Sequence, residues 1–547
     1  MKKNIGIEIY LQHLRLKSNN IQQGVLMRSL FPEKYHRSIY IFALIMLVVG
    51  LSLSKFLMSL SQIILACNWL LEGNVKNKFI AFWKNKPALV ASSLLLLHII
   101  GLIYTSDFNY AFKDIRIKSP LFILPLIIST SKPLSKKLFD IILQFFVAAI
   151  IVGTIVSTLI FVGVIYHPIV DIRGISIFIS HISFALLICV AVFVSGYFIY
   201  YSLNTFSKII WSVIMIWLIV FLALLGSLTG LIVLPLTVLI LAIYMLLTSN
   251  KYVIKYVGSI LLFGSITLLV YKVNSIAKES NKKEIVDFSK LDKFTSHGNL
   301  YEQDTITKAF ENGHLIWINY CPKELEESWN KRSRITIGND DLKGNDIYNR
   351  LIRFLASKGM KKDADAVSLL TNDEVKAIEH GAANVNYQNV NSLKGRIYET
   401  LWEIDIYKAS GDANGHSLTQ RFEYWKTALS IIKENPIFGV GTGDVPTAFD
   451  QEYVKLNSSL AKEWRLRAHN QYLSIGVAFG IVGLLWFLIT LIYPMLKEKN
   501  GFNYLYITFF IITIISFFSD DTLETQAGAT YFAFLNSYFL FAQEKDA

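Results

Sequence analysis

Residues 467–472 read Arg467-Ala468-His469-Asn470-Gln471-Tyr472, at the point where a long polar segment ends and an apolar run begins. A helix entering a bilayer here carries His469 as the first titratable group at its mouth. Gly476, Gly480 and Gly483 follow it. At about 100° per residue they fall within roughly 40° of His469 on a helical wheel. Small residues on one face let a second helix approach closely. Two uses fit the stretch: an interfacial histidine above a packing seam, or a proton-handling group at the rim of a site.

The apolar run is one of many. The chain has 547 residues, of which 53% are hydrophobic, and a mean hydropathy of +0.43. That is too apolar for a soluble chain of this length, and several runs reach the roughly 20 residues a bilayer span requires. The fold expected is an all-α polytopic membrane protein. The net charge of +12 sits largely in short loops between spans, so it does not indicate a nucleic-acid partner. Cys67, Cys189 and Cys321 form neither a disulfide framework nor a CxxC metal site. No cleavable signal is expected, because the first apolar run begins near Ile39, after a basic leader.

Residues 1–38 read as a cytoplasmic amphipathic leader. About twelve transmembrane helices are expected: nine over 39–273, near 39–53, 55–72, 88–105, 112–130, 138–165, 178–202, 207–225, 229–248 and 252–273, and three over 471–547, near 471–495, 502–519 and 526–543. Lysines follow the even-numbered spans: Lys76 and Lys78, Lys132 and Lys136, Lys208, Lys251 and Lys255, Lys497 and Lys499. The short odd-numbered loops are poorer in them. The positive-inside trend then puts both termini in the cytoplasm and residues 274–470 outside, in the periplasm of a Gram-negative cell. That large extracytoplasmic insertion between spans nine and ten reads as mainly helical. Helical patterns fall near 300–312, 345–358, 372–381, 393–408 and 418–434, with a short β pair over 314–321 and 333–337.

Near its end, Ser417-Leu418-Thr419-Gln420 reads as a capping box with Ser417 at the N-cap. The helix it opens carries Arg421 in its first turn and Phe422, Trp425, Leu429 and Ile432 as an apolar stripe, and stops before Asn435-Pro436. Arg421 is either a surface arginine paired with Glu423 or a planar fork of donors for a phosphate. Gly439-Val440-Gly441-Thr442-Gly443-Asp444 has no βαβ context, so a nucleotide loop is excluded. Gly441 and Gly443 serve a turn bringing Arg421 toward His469, and its amides can bind an anion. Arg173, Arg116 and Lys118 are basic residues on the outer side, against the topology trend, and charge at membrane depth is costly unless used. Arg116 has Asp114 as an internal partner. His181 reads as a packed, hydrogen-bonded histidine. Asp520, Asp521 and Glu524 in the last outer loop read as partners for the outer arginines or a solvated turn rather than a metal site. Walker A and HExxH sequences are absent.

Arg421 to Trp425, the turn Asn435-Pro436-Ile437-Phe438-Gly439-Val440-Gly441, and His469-Asn470 followed by Gly480 and Gly483 together resemble the O-antigen ligase family, which also includes O-antigen polymerases and bacterial O-linked oligosaccharyltransferases. The resemblance is close over about residues 415–485. It implies a metal-independent membrane glycosyltransferase without cofactors, in the inner membrane with its active site facing the periplasm. The implied donor is a glycan on undecaprenyl pyrophosphate, the acceptor a lipid A–core sugar hydroxyl. By position, His469 would assist the acceptor and Arg421 would bind the pyrophosphate, with Arg467 and Asn470 supporting. Members often carry a Ser-Arg pair opening the eighth span; here that place reads Ser227-Leu228. If that arginine holds phosphate, Arg173, Arg116 or Lys118 must supply the charge here, or the activity is altered.

Residue chemistry agrees with such a reaction. A sugar diphosphate has a good leaving group, so catalysis needs charge stabilisation and a base for the incoming hydroxyl. Polymerisation of repeat units and protein glycosylation remain open, since the acceptor region is expected in 300–410. A transporter or flippase predicts polar residues in mid-span and repeated halves; neither is found.

Overall fold

The computed structural model describes residues 32–544 except 169–171, 281–282, 308, 343 and 388–392. The leader expected over 1–38 therefore lies outside the described residues as far as residue 31. The first half of the chain forms α1 (Glu33–Leu53), α2 (Lys55–Leu71), α3 (Val75–Lys84), α4 (Lys86–Ile100), α5 (Phe108–Lys118), α6 (Pro120–Thr130), α7 (Lys136–Phe161), α8 (His181–Tyr201), α9 (Thr205–Leu225), α10 (Leu228–Thr248) and α11 (Tyr252–Ser280). The middle holds β1 (Phe310–Glu311), β2 (His314–Leu315), α12 (Pro322–Arg332), α13 (Ile347–Ser357), α14 (Ala364–Ser368), α15 (Asn372–Glu379) and α16 (Leu393–Ser410). α17 (Ser417–Glu434), α18 (Val445–Lys455), α19 (Gln471–Lys497), α20 (Tyr504–Ser519) and α21 (Gln526–Phe541) complete it.

This is a multi-pass, mostly helical membrane protein. Among the described residues seven helices are long and apolar enough to cross a bilayer, or eight if α2 and α3, bent by 110°, count as one span. Every expected span coincides with helix, but several are short: α2 has 17 residues, and α20 and α21 have 16 each. The expected span over 112–130 is two helices of 11 residues. The break has a local cause. Pro120 offers no N–H, and Phe122 and Ile123 instead donate to Ser119 O as a new helix begins. Lys113, Asp114, Arg116 and Lys118 make the first half amphipathic, which disfavours hydrocarbon.

The connections sort to two ends of the bundle. At one end Arg37 donates to the carbonyls of Lys132 and Pro133, and Leu134 bridges Gln543 in parallel register. The start of α1, the α6–α7 connection and the end of the chain therefore meet there. The other end gathers residues 101–107, 439–444, 466–470 and 519–525, the segments that build the candidate site.

Between α11 and α16 lies a small domain with its own core around Leu325, Trp329, Ile347, Leu351, Phe354, Leu355, Val367 and Ile378, all buried. The sequence reading of this region needs correction. The described residues of 300–312 are not helical: Glu302 bridges Tyr320 and Phe310–Glu311 is a strand. That strand, not 333–337, is the partner of His314–Leu315. α12 was not expected, although Pro322 at its first position and Glu324 in its first turn are ordinary helix-start signals.

Candidate active site

α19 begins at Gln471, where the span near 471–495 was expected to start. His469 has φ +45°, a left-handed backbone that costs a residue with a Cβ and is uncommon outside glycine, although asparagine, aspartate and histidine adopt it more often than other residues. It precedes the helix rather than opening it. Asn470 is the N-cap: its side-chain oxygen accepts from Leu473 N at 3.1 Å, and its amide donates to Phe518 O at 3.1 Å. With Ala468 fully buried before it, the histidine backbone is clamped on both sides. The His-Asn pair thus divides its work. Asn470 starts the helix and grips the last turn of α20, and His469 is left facing the carboxylates of the α20–α21 connection.

His469 Nδ1 lies 3.5 Å from Asp521 Oδ1 and 3.9 Å from Asp520 Oδ1. Its ring is 5.6 Å from that of Tyr424 on α17. Nε2 has no hydrogen-bond partner among the described residues. A carboxylate beside one imidazole nitrogen orients the ring and stabilises positive charge when the other nitrogen takes a proton. Burial pushes the Asp521 carboxyl above the ordinary range, and the nearby His469 and Arg467 only partly offset it. His469, Asp520 and Asp521 each offer one ligand atom within 4.8 Å of the others, so these are the residues that could hold a divalent ion.

Behind Asp521 the charges continue inward. Arg467 donates to Glu524 at 2.8 Å and to the Tyr110 hydroxyl at 3.2 Å, and its Nε is 3.9 Å from Asp521. Lys118, 3% exposed, donates at 2.8 Å to Glu524 and to both oxygens of Asp114. Gln471 closes the set, donating to Glu524 and accepting from Leu523 N. Burial alone would raise the Glu524 carboxyl, but Lys118 and Arg467 overcome it and hold the group well below its ordinary value. A cavity of about 20 Å³ sits among His98, Tyr110, Asp114, Lys118, Arg467 and Glu524, enough for about one water. Glu524 thus serves as the partner of Arg467 that the sequence suggested. Asp114 takes Lys118, not Arg116.

Arg421 lies one turn before Tyr424 on α17, near enough to Asp520 for the two charges to interact. α17 begins at Ser417 with His416 as N-cap, and no side-chain cap bond forms; the expected capping box is absent because Gln420 N already reaches His416 O at 2.9 Å. The buried face is also rotated from the expected stripe. Gln420, Glu423, Tyr424, Thr427, Ala428 and Ile431 face inward, whereas Phe422 and Leu429 are exposed. Glu423 is engaged by Tyr407 and Ser458, so it is not the partner of Arg421. Arg421 donates to Ser417 O at 3.2 Å, and its buried Nε has no partner among the described residues. Burial lowers the proton affinity of its guanidinium, opposed by Asp520 and deepened by the like charge of Arg173. Arg173, in a short turn over Ile172–Ile175, is therefore close enough to Arg421 for the two charges to be felt together. Arg116 is exposed on α5. His181 is the first residue of α8, after the Ser180 cap.

The glycine turn has a structural task. Gly480 sits inside α19 with φ 61° and ψ −159° and breaks its ladder. The turn after α17 fills the break with backbone. Val440 and Gly441 donate to the carbonyls of Val477 and Ala478 at 2.9 Å, and Ile481 donates to Pro436 O at 2.9 Å. Hydrogen bonds lost at a kink are regained from another segment, as an apolar medium requires. A Cβ on Gly480 would stand 2.4 Å from the Ile437 carbonyl, and one on Gly439 2.4 Å from the Phe479 nitrogen. Beyond them Thr442 donates to His98 O at 2.6 Å and Gly443 N to the Thr105 hydroxyl at 2.7 Å. The amides of Gly441 and Gly443 are therefore engaged by protein and do not form an anion nest. The glycine stripe is a seam, as one reading of the opening stretch held, but it receives a turn as well as a helix: only Gly476 faces the side chain of Ile432 on α17.

Two comparisons bear on this geometry. Residues 371–488 match the family described as O-Antigen ligase. An uncharacterized protein of Haemophilus influenzae is 37% identical over 91 residues, which is 16% of this chain and 23% of that protein. The chain thus matches less than a quarter of that relative's length. The family match runs from the last helices of the inserted domain through α17, the glycine turn and His469 into α19.

Proposed function

Since the chain carries an O-antigen ligase domain over residues 371–488, we propose that it is a glycosyltransferase that moves a glycan from undecaprenyl pyrophosphate to a sugar hydroxyl of lipid A–core, at the periplasmic face of the inner membrane. The observation that carries the reading is the convergence of an anion receptor and a base at one opening. Arg421, with an unpartnered buried Nε, and Arg173 beside it form the receptor. His469, held 3.5 Å from Asp521, is the base. Lys118 and Arg467, closed into ion pairs with Asp114 and Glu524, buttress the loop that presents Asp521.

The acceptor hydroxyl oxygen attacks the anomeric carbon, and the bond from that carbon to the pyrophosphate oxygen breaks. The hydroxyl proton passes to His469 Nε2, and Asp521 stabilises the imidazolium. The leaving electron pair goes to the pyrophosphate, where two guanidiniums oppose the added charge as planar donors. Arginines can supply this without a metal ion. The bond in question is already activated, so positioning and charge stabilisation are what the protein must add.

A strain lacking the gene tests the assignment through its glycolipids. Lipid-linked glycan of normal length, accumulating beside bare lipid A–core, is the result expected. Shortened chains would indicate a polymerase, unglycosylated protein would indicate a protein transferase, and an unchanged profile would overturn the assignment.

A further inference from the structure

On the far side of the glycine turn from the ion network lies an open groove of about 810 Å³, lined by Tyr104, Ser106, Asp107, Phe108, Asn109, Asn435, Gly439, Val440, Asp444, Thr447, Ala448 and Gln451. We propose that this groove is a saccharide subsite, taking uncharged or amino-sugar rings of the transferred glycan or of its acceptor. The proposal deepens the transferase reading and rests on it for the identity of the glycan.

Three observations support that chemistry. The lining mixes side-chain amides, hydroxyls and carboxylates with the aromatic rings of Tyr104 and Phe108, and it contains no lysine, arginine or histidine. Rings with many hydroxyls need donors and acceptors together with flat apolar faces; a phosphate needs cations. Second, two helix starts converge here with an acid at the N-cap of each, although Asp444 turns its carboxylate to the approach of α5 rather than to its own helix. Asp107 caps α5 by accepting from Tyr110 N at 2.9 Å, and Asp444, before α18, accepts from Ser106 N at 2.7 Å and Asp107 N at 2.8 Å. With about half a charge at each helix start, the two carboxylates leave the groove net negative, which disfavours diphosphate and tolerates neutral or cationic sugars. Third, the polar groups are available. Asn109, Thr447 and Gln451 are exposed and make no side-chain hydrogen bond among the described residues.

The groove is also tied to the site. Its floor is the turn whose other side meets α19 through Val440 and Gly441. Val445, next to Asp444, lines the cavity that holds Arg467 and Glu524. A sugar ring in the groove is therefore separated from the ion network by one turn of backbone. Its volume lies within the range of about 300–1,000 Å³ common for ligand pockets.

The test uses the full chain in nanodiscs and two probes: oligosaccharide released by mild acid from the lipid-linked glycan pool, and inorganic pyrophosphate. Saturation-transfer NMR should show contact with the oligosaccharide in the wild type and in His469→Ala. Gln451→Trp, which fills the groove from an exposed helix position, and the double change Asn109→Ala with Gln451→Ala should each weaken that contact about tenfold. Pyrophosphate should not displace it. In transfer assays the same variants should raise KM for the glycan that occupies the groove: for the lipid-linked donor if donor sugars sit there, for lipid A–core if acceptor sugars do. Oligosaccharide contact that survives both groove variants, or that pyrophosphate displaces, overturns the subsite. Groove-dependent binding in a protein with no transferase activity would instead overturn the transferase reading and leave the subsite standing.

Discussion

Asn470 donates its side-chain amide to the Phe518 carbonyl at 3.1 Å, and this bond ties the turn that holds His469 to the last turn of α20, which leads into the loop that holds Asp520 and Asp521. The same side chain caps α19 through Leu473 N. Asn470→Asp keeps the acceptor and loses the donor; Asn470→Ala loses both. Loss of the cap should cost about 1 kcal/mol of stability. Both variants should lower kcat while leaving donor KM unchanged, and only Asn470→Ala should lower the melting temperature appreciably. Equal kcat in wild type and Asn470→Asp would mean that the link to Phe518 does not position the histidine.

The seam along α19 predicts unequal tolerance of its glycines. Gly480→Ala and Gly439→Ala put a methyl group 2.4 Å from backbone atoms at a positive φ. Neither strain can relax through a side chain. Gly476→Ala meets only the Cδ1 of Ile432, at 2.9 Å, the movable end of a side chain. Thermal unfolding in detergent should show large losses for the first two and a small one for the third. Similar losses at all three positions would contradict the account of the kink as a backbone-filled break.

Two carboxylates in one loop should respond oppositely to pH and to mutation. The Asp521 carboxyl is raised in the folded protein, chiefly by burial. The folded state then holds a proton that the unfolded chain has released, so stability falls as pH rises from the ordinary carboxylate value through the raised one. Above that window Asp521→Asn should stabilise the protein slightly while lowering kcat, and the acid limb of the rate profile should lie above the ordinary carboxylate range. Glu524 is held low by Lys118 and Arg467 against its burial. Its contribution is present above the ordinary carboxylate value and is lost only as pH falls through the lowered one. Glu524→Gln removes the carboxylate that Lys118 and Arg467 share, leaving Lys118 with Asp114 and Arg467 with the more distant Asp521, and should cost up to about 3–5 kcal/mol. Denaturation midpoints across pH, read with rate profiles, check both signs.

Metal dependence is checked by chelation. Transfer should persist in excess chelator, because the reading gives His469 a proton to carry rather than an ion to bind. His469, Asp520 and Asp521 lie close enough to share one ion, so loss of transfer with recovery on adding a divalent ion would assign them to it and contradict the base.

Much of the site was legible in the sequence, and what escaped has physical reasons. Arginine at a helix start, Pro-x-x-Gly-x-Gly and His-Asn are local patterns, and each sits at the described opening. The partnership of His469 with Asp521 joins the loop before α19 to the loop after α20, and no spacing rule reaches that far. The break at Gly480 was hidden because it lies in an apolar run whose periodicity reads as continuous helix, and no residue pattern around His469 signals its positive φ. The break after Lys118 was signalled by Ser119-Pro120 and by charge at 113–118, and the apolar residues after Pro120 outweighed that signal. The stripe Phe422, Trp425, Leu429, Ile432 has proper helical spacing. It misled because a helix at a membrane face can expose apolar side chains and bury polar ones that are hydrogen-bonded.

The central claim is that Arg421 grips the diphosphate and His469 takes the proton at the same opening. It is tested most directly by steady-state transfer from a lipid-diphosphate glycan to lipid A–core in nanodiscs, with Arg421→Lys and His469→Ala beside the wild type. Arg421→Lys keeps the charge and loses the planar fork, so donor KM should rise. His469→Ala should lower kcat by about 10² to 10⁴ with donor KM unchanged. Near-normal transfer by both variants would contradict the account and leave His469 as a residue at the top of a packing seam.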